Sequence, residues 1–496
     1  MHAHDRPVRF RAPFRSLLLS MRGKLGIAIA VGTALLCSAC ATTIAGRPVS
    51  IFADPFSVAG MRAVNGDTGL RPNAPAPSRV VIGTDGGAVD ELARSAVSDI
   101  EQFWGAAWGA TFHGAFTPVA RVVSWDSNGK NGEFCGGDTV GLVDAGYCVD
   151  ENTIGWDRGV LLPSLREANG DMAVSMVLAH EYGHAIQRQA GIANEQTPTL
   201  VSEQQADCLA GVYLRWVAEG NSPRFTLSTG DGLNNLLAAM IAFRDPLLGE
   251  DDTAAVENPH GSAFERVSAF QFGFTEGASS CAAIDQKEIE QRRGELPVLL
   301  RESESGDVRI TEQSVRAIVA AAAAAFPLPH PPALDFTSTA PNCVDSHSQA
   351  PAVYCPALDA ILVDLPALQK LGSRPHPGEQ GLATGDNTGF SVVVSRYMMA
   401  LQRQRGSPLD NAVTALRTAC LTGVATAKLS TGISRPDDTT IVLTAGDLDE
   451  AVSGLLVNGY AASDVNGATV PAGFSRIDAF RIGVLGNEER CFKRFS

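Results

Sequence analysis

The sequence predicts an α+β fold built twice in tandem, one domain followed by a degenerate copy of itself. Three observations predict it. Three helical stretches and one short strand are legible in the first half of the body. One set of four cysteines recurs about 210 residues further along a chain of 496 residues, about three times the usual length of a domain. Hydrophobic residues make up 45% and charged residues 19%, a composition that suits a packed core and excludes a disordered chain.

The first element is a leader over residues 1–40. Six basic residues and one acid occupy positions 1–24, and Leu25–Leu36 then runs twelve residues without a charge. That length matches a signal-peptide core and falls short of the ~20 residues a membrane span needs. Leu36-Cys37-Ser38-Ala39-Cys40 resembles a bacterial lipobox, with Cys37 where Leu is usual, so Cys40 is expected to carry a lipid. The mature chain would then sit on the outer face of the bacterial cell membrane, or be secreted if cleaved without lipidation. Residues 41–84, rich in Ala, Gly and Pro, read as a flexible tether. Without the leader, bases and acids stand at 33 against 53, a charge of −20. Such a body repels phosphate backbones, which excludes nucleic acid as a partner.

Beyond the leader lie eight cysteines, an even number that suits an oxidising compartment. Cys135, Cys148, Cys208 and Cys281 face Cys343, Cys355, Cys420 and Cys491 at offsets of 208, 207, 212 and 210. Tyr147-Cys148 matches Tyr354-Cys355, Tyr182 and Gln187 match Tyr397 and Gln402, and Phe270 and Gly273 match Phe480 and Gly483. The expected units are therefore residues 85–284, a charged linker 285–307, and the copy 308–496. Short spacings favour Cys135 with Cys148 and Cys343 with Cys355, which leaves Cys208–Cys281 and Cys420–Cys491. Metal binding by these cysteines is the weaker reading, because none has Cys-x-x-Cys spacing.

Within the first unit, Val89, Leu92, Ala96, Ile100 and Phe103 recur at helical spacing and predict a helix over Asp90–Trp108. Gly146–Trp156, bounded by turn formers, reads as one strand. A helix is expected over Asp171–Ala190, started by polar residues and stopped by Gly191, and another over Thr199–Glu219.

The chemistry lies on these two helices. His180-Glu181-Tyr182-Gly183-His184 places two imidazoles about 40° apart on one helical face, near enough to hold one ion. Glu181, about 100° round from His180, stands beside the ion free to hold a proton. Glu203 follows on the next helix as a third ligand, which leaves a fourth position for water. Asp207, one turn further, suits the role of acceptor for the other ring nitrogen of a ligand histidine. This His-Glu-x-x-His, Glu, Asp spacing is the gluzincin pattern.

At this point the sequence resembles the bacterial neutral zinc metallopeptidases, most closely the actinobacterial lipoprotein peptidases. The resemblance rests on Tyr147-Cys148, Asp150, Thr153-Ile154 and Asp157, the His180–Gln187 stretch, Glu203–Gly211, and His260-Gly261-Ser262 with Arg266. Ala185 departs from it at a position that is no ligand. The resemblance implies a zincin-like domain holding one Zn²⁺ per chain and hydrolysing peptide bonds in a peptide or protein substrate.

The second copy serves as a control. Ser395, Arg396 and Met399 stand opposite His180, Glu181 and His184; Ala419 stands opposite Asp207, Ala415 near the Glu203 equivalent, and Val470 opposite His260. Cysteines and packing residues are kept while every residue assigned to chemistry is gone, so Tyr182 and Gln187 read as fold residues. In the expected mechanism His180, His184 and Glu203 bind zinc, Glu181 is the general base, and His260 stabilises the oxyanion. The competing expectation is an idle surface lipoprotein that binds a partner, its metal structural.

Overall fold

The computed structural model describes residues 54–129, 132–247, 249, 259–293, 296–297, 299–300, 306–336, 343–374, 382–430 and 443–496. The leader with Cys40 lies outside the described residues.

Residues 54–84 are part of the body rather than a free tether. β1 (Ser57–Val58) pairs with β2 (Met61–Arg62), and Val58 is fully buried. β3 (Gly69–Leu70) adds to a strand 155 residues away, and Arg71 Nε donates to the carbonyls of Ser222 and Phe225. Two-residue strands have no periodicity to read, so composition alone suggested a linker.

α1 (Ala88–Thr111) buries Leu92, Ala96, Ile100, Phe103 and Trp104, and its Asp90 Oδ1 accepts from Ser124 Oγ and Trp156 Nε1. β4 (Arg121–Trp125) follows, and then β5 (Glu133–Phe134) and β6 (Gly137–Asp138), a small hairpin. The expected strand Gly146–Trp156 is in fact two strands, β7 (Ala145–Cys148) and β8 (Thr153–Asp157), paired antiparallel. Asp150 and Asn152, the latter at φ 47°, supply the turn between them. β4 pairs parallel to β8, giving the order β4-β8-β7 with β7 at an edge.

α2 (Leu161–Asn169) leads into α3 (Asp171–Ala190), whose bounds are those expected; Gly191, in the left-handed conformation at φ 69°, ends it. α4 (Thr199–Ala218), β9 (Phe225–Thr226), α5 (Asp231–Ala242) and α6 (Ala263–Glu276) complete the first half. α4 and α6 cross at two glycines. A Cβ on Gly273 would lie 1.8 Å from the Cys208 carbonyl oxygen, and one on Gly211 would lie 2.3 Å from that of Phe270.

α7 (Ala278–Ala282) and α8 (Gln286–Arg293) come next, so the start of the expected linker is an ordered helix with Arg292 buried. The C-terminal half runs through α9 (Glu312–Ala325), β10 (Ala333–Asp335), β11 (Ala352–Cys355), β12 (Ala360–Val363), α10 (Leu365–Leu371), α11 (Asp386–Gln404), α12 (Ala412–Ser430), α13 (Asp447–Val457), α14 (Gly473–Val484) and α15 (Glu488–Arg494). Its sheet order is β10-β12-β11, with β10 parallel and β11 antiparallel to β12. α12 and α14 again cross at glycines, Gly423 against Phe480 and Gly483 against Cys420. The four disulfides join the expected pairs.

The two halves are not separate bodies on a linker. Their buried side chains form one continuous core within one compact unit, with the Phe274 and Phe474 rings 5.1 Å apart. Gln271 Nε2 donates to the Phe474 carbonyl at 3.0 Å, and the Gly473 amide donates to Asn234 Oδ1 at 2.8 Å. Among the described residues no helix is long and apolar enough to cross a membrane.

Candidate metal centre

Close packing of α3 on α4 brings the predicted residues together. Gly183 makes it possible: a Cβ there would lie 3.0 Å from Ala206 Cα. His180 is buried, and its Nδ1–H donates to Asp207 Oδ1 at 2.8 Å. Its Nε2 lies 3.0 Å from Glu203 Oε2, and His184 Nε2 lies 3.5 Å from Glu203 Oε1. His260, from the segment that precedes α6, places its Nε2 3.6 Å from Glu203 Oε2. Donor atoms of His180, Glu203 and His260 all fall within 4.8 Å of one another. A tetrahedral zinc ion with bonds of about 2.0–2.1 Å spaces its ligand atoms about 3.3–3.4 Å apart. The imidazoles of His180 and His260 with the Glu203 carboxylate fit that ion in type and spacing; His184, the other expected ligand, stands against the second Glu203 oxygen, outside this group.

Behind the donors stands a ring of orienting partners. Arg266 Nε and Nη2 each donate to Asp207 at 2.9 Å. Burial works against a charged carboxylate, but Arg266 and His180 outweigh it and hold Asp207 down to about 2. Burial also opposes a charged imidazole at His180, yet Asp207 and Glu203 push it up to about 10. Glu203 lies well below the usual carboxylate range, since its bonds to His180 and His184 exceed its burial cost. The pocket therefore favours positive charge at its centre.

His184 Nδ1–H donates to Gln187 Oε1 at 3.0 Å, and Gln187 Nε2 donates to the Ser202 carbonyl. Gln187 is thus more than a fold residue, because it fixes the His184 ring. Tyr182 faces away: its hydroxyl donates to Glu101 and accepts from the Val119 amide. Glu181 is half-buried beside the donors, and burial pushes its carboxyl up.

Sequence reasoning missed four contributors. Asp245 accepts the amides of His260 at 3.1 Å and Gly261 at 2.7 Å. Gln204 Nε2 donates to the His260 carbonyl at 2.9 Å and is itself held by Arg292. Asp144, just before β7, is raised by burial and senses the charges of His260 and Glu203. Asp245 and Asp144 lie in loops and Arg292 in the charged linker, where no spacing marks them; Gln204 follows Glu203 directly.

In the C-terminal half the sequence equivalents are buried but hold no donor set. Arg396 donates at 2.9 Å to the Ala352 carbonyl, the Tyr460 carbonyl and Ser463 Oγ.

A family model described as "Putative neutral zinc metallopeptidase" matches residues 21–284. Uncharacterized protein Rv2575 of Mycobacterium tuberculosis (strain ATCC 25618 / H37Rv) is 28% identical over 192 residues, 35% of this chain and 64% of its own length. Uncharacterized protein YpfJ of Escherichia coli (strain K12) is 30% identical over 148 residues, 26% of this chain and 50% of its own. The chain thus spans less than two thirds of the relatives it matches. No solved structure matches it.

Proposed function

Because this chain belongs to the neutral zinc metallopeptidase family, we propose that it is a zinc-dependent peptidase with its site in the first half. The observation that carries this is that His180, His184 and His260 each place Nε2 3.0–3.6 Å from a carboxylate oxygen of Glu203, with Glu181 on the same helix as the first two. Zinc bound there supplies a Lewis acid that lowers the pKa of water toward about 7 and polarises a carbonyl. His180, His184 and Glu203 hold the ion, and Asp207 and Gln187 fix the two imidazole rings. Glu181 takes a proton from the attacking water and hands it to the leaving amine; the burial that raises its carboxyl suits it to carry that proton between the two steps. His260, with its side chain 44% exposed and Asp245 behind it, stands to donate to the developing oxyanion. Strand β7, at the sheet edge, offers backbone groups along which an extended peptide can lie.

The second half reads as a tandem copy that has lost its site. The same sheet order, the same disulfide pattern and the same glycine crossings support it, and Arg396 fills the place of the base. Lipid anchoring through Cys40, on the outer face of the membrane, rests on the leader sequence alone.

Glu181→Gln tests the mechanism. Zinc content should match wild type while cleavage of a protein substrate library falls at least a hundredfold, about the lower end of general-base effects. Full activity in that variant would refute the role. A second reading has one observation in its favour: His260 as a fourth ligand would close the site, as in structural zinc. Chelation separates the two, since an enzyme loses cleavage with its fold intact whereas a structural site melts.

A further inference from the structure

Helix α6 delivers Arg266 to Asp207, and the stretch just before it delivers His260 to Glu203. The placement of both depends on how the first turn of α6 is held. A helix start leaves its first amides without partners inside the helix. Ser262 and Glu265 form a capping box that satisfies the Glu265 amide. The amides of Ala263 and Phe264 find their acceptor in the other half of the chain. Asp449, buried on α13, accepts the Phe264 amide through Oδ1 at 3.0 Å and also faces the amide of Ala263. Its Oδ2 lies 4.0 Å from Arg244 Nε. Arg244 stands between Phe243, whose carbonyl accepts from Arg266 Nη1 at 2.7 Å, and Asp245, which holds the amides of His260 and Gly261. One carboxylate thus touches both chain segments that complete the site. Negative charge is also favoured there by the helix dipole.

The geometry points to Asp449 as a positioning residue for the metal centre. The C-terminal half, which among the described residues adds no donor to this centre, clamps the segments 243–245 and 263–266 and so sets where Arg266 and His260 stand. This rests on the metal reading of the site. Two other hydrogen bonds between the halves lie apart from these segments: Asn234 binds the Gly473 amide, and Gln271 binds Phe474 further along α6.

The test uses the full chain carrying Asp449→Ala, Asp449→Asn or Asn234→Ala. Zinc affinity is read by competition with a chromogenic chelator, and folding by melting temperature. Losing the partner of a ligand typically weakens metal binding 10–100-fold, and Asp449 acts one link further out, so Asp449→Ala should cost about tenfold. Asp449→Asn keeps an acceptor for Phe264 and should bind zinc within about twofold of wild type. Asn234→Ala should lower the melting temperature and leave zinc affinity alone. Wild-type zinc affinity in folded Asp449→Ala, or an equal loss in Asn234→Ala, would overturn the proposal. Amide exchange at residues 263–266 of the metal-free chain should quicken in Asp449→Ala and not in Asn234→Ala. That readout decides the clamp even if the wild-type chain takes no zinc, an outcome that would end only the peptidase reading.

Discussion

Arg266→Met should expose how much of the metal centre is held by a single ion pair. The guanidinium and Asp207 share two hydrogen bonds of 2.9 Å, and both side chains are less than a tenth exposed. Removing one partner of such a pair costs about 3–5 kcal/mol, because the other charge stays buried. The lost bond from Nη1 to the Phe243 carbonyl adds about 1 kcal/mol. His180 Nδ1–H still donates to Asp207 and offsets part of this, so a net loss of about 3–4 kcal/mol is expected, two to three powers of ten in the folding equilibrium. The five tryptophans, at 104, 108, 125, 156 and 216, all lie in the first half. Their fluorescence during urea denaturation therefore reads that half directly. The double variant Asp207→Asn with Arg266→Met should recover part of the loss, since no unpaired charge remains. A cost below about 1 kcal/mol in Arg266→Met, or no recovery in the double variant, would refute the argument.

Three further outcomes follow from the packing and the charges. Replacing Cys208 and Cys281 by Ala opens a loop spanning 73 residues and should cost about 4 kcal/mol in the chain-entropy model, measured as the shift in denaturation midpoint. Gly273→Ala should severely lower the yield of folded protein, because its Cβ meets the Cys208 carbonyl at 1.8 Å; normal yield and melting temperature would contradict the close crossing. Glu450, with Asp447 and Asp386 beside it, is pushed up by burial and by those neighbours, so the folded chain holds its proton and the unfolded chain releases it near pH 4.5. Stability from this group is therefore lost as pH rises above the unfolded value, and Glu450→Gln should raise the melting temperature at pH 8 with little change at pH 5.

Much of the site was legible because it lies on two helices with strong local signals. Asp171 and Gly191 bound α3, and helical geometry then fixed His180, Glu181 and His184 on neighbouring faces. Asp207 as the partner of His180 followed from the chemistry of ligand histidines, and the 2.8 Å bond agrees. Asp245 and Arg292 escaped notice because tertiary packing alone brings them to His260, directly or through Gln204. Gln187 shows where comparison of the halves misleads. It is kept as Gln402, yet one side chain holds the His184 ring while the other pairs with Arg417 and Thr418. The polar stretch Val149–Asn152 is the turn of a hairpin that a single-strand reading of 146–156 passed over, and residues 54–84 take their order from distant partners such as Phe225 and Thr229, which composition does not show.

Arg396 carries a consequence for what this chain can become. Its guanidinium satisfies two backbone carbonyls and a hydroxyl in the interior of the second half. A glutamate at 396 would strand those acceptors and add a buried charge, while histidines at 395 and 399 would have to fit where the side chains are fully buried. Each single substitution toward a metal site at these positions is therefore destabilising. If the second half is the altered copy proposed above, its buried arginine makes that change hard to reverse one residue at a time.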